Sequence, residues 1–248
     1  MGAENEIIRF GLIGKSLDYS FSKNYFEKKN LDNNYSYTNF EFESETALAS
    51  FLLDDVFFLH GFNVTTPYKQ TIIPYLDELD TIAEETQAVN TVLVKNGKLI
   101  GYNTDVIGFQ NSISKLIKSK HKKALILGTG GASKAIAYAL SKLKIQTTSV
   151  SRVPIEKAIL SYSALNKEHI NSHKIIINTT PLGTFPIINE CPNIPYQFIT
   201  KNHLVYDLVY NPNETLFLYR AKEQGATIKN GLEMLEIQAE AAWNIWRI

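Results

Sequence analysis

Ala124-Leu125-Ile126-Leu127 runs straight into Gly128-Thr129-Gly130-Gly131-Ala132-Ser133, and behind that loop Ala132, Ile136, Ala139, Leu140 and Leu143 recur at helical spacing. A short apolar strand, a glycine turn and an amphipathic helix, in that order, commit this part of the chain to βαβ units around a parallel sheet. The rhythm continues. Gln146 to Val150, Lys174 to Ile177, Leu204 to Val209 and Thr227 to Lys229 read as further strands, with helical segments between most of them. This is a doubly wound nucleotide-binding pattern.

The residues before Ala124 alternate as well. Ile7 to Ile13 reads as a strand ending in Gly14, followed by a loop from Lys15 to Ser22 and a short helix near Asn24 to Asn30. Tyr35 to Phe42 has the Tyr, Phe and Thr content of a strand. Glu45 to Leu53 reads as helix, and Phe57 to Val64 as a buried strand. Pro67 is placed to open a helix, since its missing N–H falls where a helix needs no donor, and Lys69 would project from the first turn. Asn96-Gly97 between apolar pairs predicts an antiparallel hairpin at the edge of this first sheet, because both residues tolerate positive φ. A helix from about Val106 to Lys118 leads to the basic run Lys120-His121-Lys122-Lys123, a solvated helix end. The last helix, about Leu232 to Trp246, has no strand after it and is long enough to return to the first domain. The expected fold is two α/β domains: residues 1–106, completed by 232–248, and a Rossmann-like doubly wound domain over 107–231.

Bulk properties narrow the function. Lys+Arg and Asp+Glu are 25 each, so no net charge draws the chain toward nucleic acid or a membrane surface. The one cysteine, Cys191, cannot form an internal disulfide or a thiolate metal cluster, and no histidine–cysteine grouping suggests a metal. The start, Met1-Gly2-Ala3-Glu4-Asn5-Glu6, is unlike a secretory signal, and no apolar stretch approaches the roughly 18 residues that span a bilayer. The expectation is a cytoplasmic protein, monomer or homodimer, acting on a small molecule.

The glycine loop is a candidate dinucleotide site. Gly128 permits the tight turn, Gly130 lets backbone approach a pyrophosphate, and the helix N-terminus offers N–H groups and partial positive charge. Ser133 stands where the third glycine is usual. The next strand ends Ser149-Val150-Ser151-Arg152 with no carboxylate for a ribose hydroxyl. Arg152 can pair with a 2′-phosphate and Ser151 can bond it, so NADP is expected over NAD. Asn178-Thr179-Thr180-Pro181-Leu182-Gly183 follows the third strand and would let a cofactor ring lie close.

Polar groups gather in the first domain. Ser20 and Ser22 follow the first strand; Asn63, Thr65 and Lys69 follow the apolar run; Asn90 opens the hairpin and Asp105 closes it. A lysine–aspartate pair with hydroxyls and amides suits a small polyhydroxylated substrate. Gln238, on a helix face with Leu235 and Ala242, points inward.

At these residues the chain resembles the shikimate dehydrogenase family, over nearly its whole length. Gly11-Leu12-Ile13-Gly14 with Ser20-x-Ser22 resembles the family's substrate-carboxylate loop. Asn63-Val64-Thr65-x-Pro67-x-Lys69 resembles its signature. Ala88-Val89-Asn90-Thr91, Gly101-x-Asn103-Thr104-Asp105, Gly128-x-Gly130-Gly131-Ala132, Asn178-Thr179-Thr180-Pro181-Leu182-Gly183, Asp207-x-x-Tyr210-Asn211-Pro212 and Gly231-x-x-Met234-Leu235-x-x-Gln238-Ala239 are similar to further blocks. Members usually carry a histidine and a proline in the first loop, where this chain has Tyr19 and Lys23. Ser151 and Val153 stand for an asparagine and a threonine beside Arg152, and Ser133 and Lys134 also differ from common members.

The resemblance implies NADPH-dependent, reversible reduction of 3-dehydroshikimate to shikimate, in the shikimate pathway of aromatic amino acid biosynthesis. It implies Lys69 and Asp105 as the catalytic pair, with either member open as the one that moves the proton. It further implies substrate contacts at Ser20, Ser22, Thr65, Asn90, Tyr210 and Gln238. Cofactor contacts are implied at Gly128, Gly130, Gly131, Ala132, Ser151, Arg152, Thr179, Leu208 and Gly231. Two alternatives stand beside it. A quinate/shikimate dehydrogenase using NAD would want an acidic residue near position 151. A non-catalytic NADP-sensing protein would lose Lys69 or Asp105.

Overall fold

A computed structural model describes residues 7–18, 20–30, 34–153 and 159–247. Tyr19 and the opening segment 1–6, both used above, lie outside the described residues. The chain divides into two compact units, Met1–Thr104 with Ala239–Ile248, and Asp105–Gln238.

The first unit is built from β1 (Ile8–Gly14), α1 (Phe21–Lys29), β2 (Tyr35–Glu41), α2 (Glu45–Ser50), β3 (Gly61–Val64), β4 (Glu78–Leu79), α3 (Thr81–Thr86), β5 (Thr91–Lys95) and β6 (Lys98–Tyr102). Its sheet has the order β2-β1-β3-β5-β6-β4. β1 pairs parallel with β2 and β3, whereas β5 is antiparallel to both β3 and β6. The β5–β6 turn has Asn96 at φ 54° and Gly97 at φ 70°, the left-handed conformations that this dipeptide accepts. The two-residue β4 lies outside β6, so the hairpin does not form the sheet edge.

Two further expectations for this unit need correction. The strand expected over Phe57–Val64 is confined to Gly61–Val64, because Val56–Phe58 forms a 3-10 turn that leaves Phe57 and Phe58 exposed. An apolar run does not by itself distinguish strand from turn. Pro67 opens no helix. It follows a cis peptide bond, and residues 66–72 form turns. The Lys69 carbonyl accepts from Val89 N at 2.7 Å, so it is committed to a distant segment instead of to a helical neighbour.

Aromatic packing closes one face of the sheet. Phe10, Phe26, Tyr35, Tyr37 and Trp246 belong to one buried cluster with Ala239 and Ala242 of the last helix. The other face buries Ile13, Leu48, Leu52, Phe62, Val64, Tyr68 and Ile72.

The second unit comprises α4 (Asp105–Ser114), β7 (Lys123–Leu127), α5 (Gly131–Lys142), β8 (Gln146–Ser151), β9 (Leu160–Ser161), α6 (Lys167–Ser172), β10 (Ile175–Asn178), β11 (Leu204–Asp207), α7 (Leu216–Glu223), β12 (Thr227–Lys229) and α8 (Leu232–Trp246), whose end belongs to the first unit. The strand order is β12-β11-β10-β7-β8-β9, and every pairing is parallel. The chain leaves β7 toward β8 and then returns to its other side with β10. The reversal of direction therefore falls between β7 and β10, where doubly wound sheets bind ligands. α4 stops at Ser114, short of the expected Lys118, and the short β9 is an element that the sequence pattern did not suggest.

Three buried histidines precede the central strands. His121 lies before β7, His173 before β10 and His203 before β11. Nδ1 of His121 accepts from Lys118 N at 3.0 Å, and Nδ1 of His203 accepts from Thr200 N at 2.9 Å. A proton at either nitrogen would break its bond. Burial lowers all three pKa values, and neighbouring positive groups (Lys118, Lys120 and His203 at His121; Lys123 and His169 at His173; Lys174 and Lys120 at His203) act the same way.

An unfolded histidine takes its proton near pH 6.5, and these native ones only at lower pH, so stability present at neutral pH is lost as the pH falls through that window. Each histidine contributes a slope of at most about 1.4 kcal/mol per pH unit. Asp207, whose carboxyl is pushed up to about 6, opposes one of them, because it takes its proton earlier folded than unfolded. Urea unfolding followed by circular dichroism is therefore expected to shift to clearly lower urea between about pH 7.5 and about pH 5.5. An unchanged midpoint would contradict the neutral assignment.

Candidate active site

The polar residues of the first unit form one connected relay. Ser22, buried in the first turn of α1, hydrogen-bonds Tyr37 on β2. Tyr37 donates to Asn63 Oδ1 at 2.9 Å. Asn63, at the end of β3, donates through Nδ2 to the Asn90 carbonyl at 3.2 Å and Thr91 Oγ1 at 3.1 Å. Asn90 Nδ2 donates to Thr104 Oγ1 at 2.9 Å, and its Oδ1 accepts from Thr104 N at 2.7 Å. The relay joins the first turn of α1, β2, β3 and both ends of the hairpin. It ends at Thr104, the residue before Asp105. Tyr37 and Thr104 had not been singled out as site residues. For Tyr37 the available signal was the pleat of β2, which turns Tyr35 and Tyr37 inward together.

Around the relay stand the other candidates. Ser20 is half-buried at the N-cap of α1, and its side chain makes no capping bond. Thr65 is half-buried, its N–H bonded to the Ile13 carbonyl at 2.9 Å. A Cβ at Gly14 would stand 2.7 Å from the Thr65 methyl, so the glycine admits Thr65 beside the end of β1. Lys69 is half-buried in the turns after Thr65, which its carbonyl bond to Val89 anchors.

In the second unit, Asp105 is buried in the first turn of α4, at the helix end whose dipole favours a carboxylate. One turn on, a Cβ at Gly108 would lie 2.7 Å from the Met234 carbonyl and 3.1 Å from Gln238 Cβ. Gly108 therefore lets α8 pack closely, and α4 and α8 carry Asp105 and the buried Gln238 in one contact region. Gln238 Nε2 donates to the Leu235 carbonyl at 3.0 Å.

The glycine loop follows β7. Gly128 has φ +119°, and a Cβ there would stand 2.6 Å from Thr179 Oγ1. A Cβ at Gly130 would meet nothing within 4 Å, and no side chain caps α5. Open space above an uncapped helix N-terminus fits a pyrophosphate. Ser133 does not disturb the packing of α5. It is buried, and its Oγ donates to the Gly130 carbonyl at 2.6 Å. Ala132 and Gly131 are half-buried in the first turn.

Arg152 is exposed at the end of β8, where its charge acts on Tyr162, a phenol whose pKa is raised mainly by burial. Ser151 Oγ bonds locally to the Val153 backbone. Thr179, Leu208, Tyr210 and Gly231 all follow the carboxyl ends of parallel strands of this sheet; Leu208 N bonds the Asn178 carbonyl at 3.0 Å. Among the described residues no group of His, Cys, Asp and Glu is arranged to hold a metal, and no helix is long and apolar enough to cross a membrane.

A parallel sheet with an open glycine loop at its switch point, joined in one chain to a unit with a polar relay, defines a two-unit α/β protein of the dinucleotide-dependent class. Comparison with known proteins gives the particular family. Residues 12–92 match the shikimate dehydrogenase substrate binding domain. A shikimate dehydrogenase (NADP(+)) of Methanococcus maripaludis is 40% identical over 95% of this chain and 90% of its own length. Among solved structures, a shikimate dehydrogenase in complex with NADP+ is similar with TM-score 0.81 and 33% identity, covering 97% of this chain and 90% of the other. Shikimate dehydrogenase 1 from Peptoclostridium difficile is similar with TM-score 0.85 and 33% identity over 97% and 92%. The chain belongs to the shikimate dehydrogenase family.

Proposed function

We propose that this protein catalyses the NADP-dependent, reversible reduction of 3-dehydroshikimate to shikimate, a step toward the aromatic amino acids. The observation that carries the reading is the 40% identity, over 95% of the chain, to a shikimate dehydrogenase (NADP(+)). In this reading the first unit takes the substrate and the second takes NADP, and the protein works in the cytoplasm as a monomer or homodimer.

NADPH, when bound, supplies the hydride. The chain's own residues do the rest. The Lys69 ammonium stabilises the developing alkoxide, and the Lys69–Asp105 pair delivers its proton. Ser20 and Ser22 donate to the substrate carboxylate. Thr65, Asn90, Tyr210 and Gln238 hold ring hydroxyls, and the relay through Tyr37, Asn63 and Thr104 keeps Ser22 and Asn90 in fixed orientations. Gly128, Gly130, Gly131 and Ala132 receive the pyrophosphate, Ser151 and Arg152 the 2′-phosphate, and Thr179, Leu208 and Gly231 the ring end.

The test is spectrophotometric. Shikimate should drive NADP+ reduction, with quinate and NAD+ run in parallel; absence of turnover with shikimate and NADP+, or faster turnover with quinate and NAD+, would reject the reading. The same assay checks the cofactor clamp. Arg152→Ala is expected to raise the KM for NADPH roughly 10- to 100-fold, the worth of a charge-assisted phosphate contact, and to leave the KM for NADH nearly unchanged. Equal effects on both cofactors would remove Arg152 from the 2′-phosphate.

A further inference from the structure

Asp207 ends β11 and is fully buried. Its carboxylate is held by neutral donors. Oδ1 accepts from Asn178 Nδ2 at 2.9 Å and from Val209 N at 3.0 Å, and Oδ2 accepts from Thr215 Oγ1 at 2.6 Å. The donors lie at the end of β10 and at the two ends of the loop between β11 and α7. Asn178 ends β10, and its Oδ1 in turn takes Thr180 N at 3.0 Å and Thr180 Oγ1 at 2.6 Å, which shapes the loop to Gly183. Val209 begins the loop after β11. Thr215 caps α7, accepting from Leu218 N at 3.3 Å.

The network reaches the glycine loop. Thr179 binds the Leu127 carbonyl through both its N–H, at 2.9 Å, and its hydroxyl, at 2.8 Å. Leu127 immediately precedes Gly128. On the other side, the Leu208 carbonyl lies where a Cβ at position 231 would stand, and Gly231 N bonds the Val209 carbonyl at 3.2 Å.

We propose that Asp207 is a positioning residue for the dinucleotide: its carboxylate clamps the loops after β10 and β11 together and so sets the spacing of Thr179, Leu208 and Gly231. The proposal rests on the NADP reading of the second unit. It explains why a charge is kept in a place where an amide would fit. Burial pushes the carboxyl up to about 6, above its unfolded range. A group raised in this way adds stability in acid and loses it as the pH rises through its folded pKa. At neutral pH the ionised Asp207 therefore lowers the stability of its own unit. A residue kept under that penalty is accounted for by what it holds in place.

Asp207→Asn separates positioning from folding. The amide oxygen can keep Asn178 and Val209 as donors, and the Thr215 hydroxyl can turn to accept from the new amide, but the charge-assisted bonds are lost. The thermal midpoint at neutral pH is expected to stay level or rise. The Kd for NADP+ by titration calorimetry is expected to rise about tenfold, the worth of one hydrogen bond to a charged group. The KM for NADPH should rise with it.

An unchanged Kd for NADP+, or a weaker Kd matched by an equal loss of thermal stability, would overturn the proposal. So would a wild-type protein that does not bind NADP+. A wild type that binds NADP+ but does not oxidise shikimate would instead reject the proposed reaction and leave the calorimetric comparison of Asp207 intact. Failure of the Asn variant to fold would also overturn the proposal, because it would assign the buried carboxylate to folding and not to positioning.

Discussion

Lys69→Ala is expected to lower kcat for shikimate oxidation by about 10²- to 10⁴-fold, the usual worth of a positioned proton donor, and to leave the Kd for NADP+ unchanged. The reduction creates negative charge on a former ketone oxygen, and an ammonium both stabilises that charge and can give up a proton. The placement of Lys69 serves this role. It is half-buried, and its backbone is tied at 2.7 Å to Val89, next to Asn90 of the relay. Lys69→Arg keeps the charge, but a guanidinium does not release its proton at neutral pH, so it should rescue little. Stopped-flow comparison of the three proteins at saturating shikimate and NADP+ gives the answer. Near-wild-type turnover in Lys69→Ala would sink the assignment. A fall in NADP+ affinity equal to the fall in kcat would show damage to the fold.

What could be read in the sequence divides along the range of the interactions involved. The strand–glycine–helix segment around Gly128 was legible because a strand, a tight turn and a 3.6-residue repeat are all local signals, and the helix runs Gly131–Lys142. The hairpin was legible from Asn96-Gly97 alone. The turns at Pro67 were not, because the bond that fixes them comes from Val89, twenty residues away along the chain. The relay was hidden for the same reason. Tyr37 reaches Asn63, and Asn63 reaches Thr91, only because β1 lies between β2 and β3, and β5 pairs back on β3. The motif blocks located the candidate side chains one by one, and the sheet order supplied the bonds that connect them. Asp207 follows the same rule at its link to Asn178: in the sequence it is one acid after an apolar strand, and that donor comes from the end of β10, beside β11 in the sheet.

The largest expected loss of stability comes from Trp246→Ala, about 3–5 kcal/mol, the range for truncating a large buried aromatic side chain. The indole is buried and stacks on Phe10 at 4.7 Å between centroids. It also lies 5.4 Å from Phe26 and 6.4 Å from Tyr37, and its Nε1–H donates to the Val92 carbonyl at 2.9 Å. Gly61 has no Cβ because the indole edge occupies that space. Trp246 thus braces β1, β3 and β5 at once. Tyr37 is the link between Ser22 and Asn63, so a cavity beside it should loosen the relay as well as the core. Urea unfolding followed by the fluorescence of Trp243, the other tryptophan, measures the stability directly. Trp246→Phe should recover more than half of the loss, since it restores the stack and forgoes the Nε1–H bond, worth about 1 kcal/mol. If the relay depends on this brace, Trp246→Ala will also raise the KM for shikimate under conditions where it remains folded, and its KM for NADPH will not move. A loss of stability below about 1 kcal/mol would mean that the last helix is not structural to the first unit.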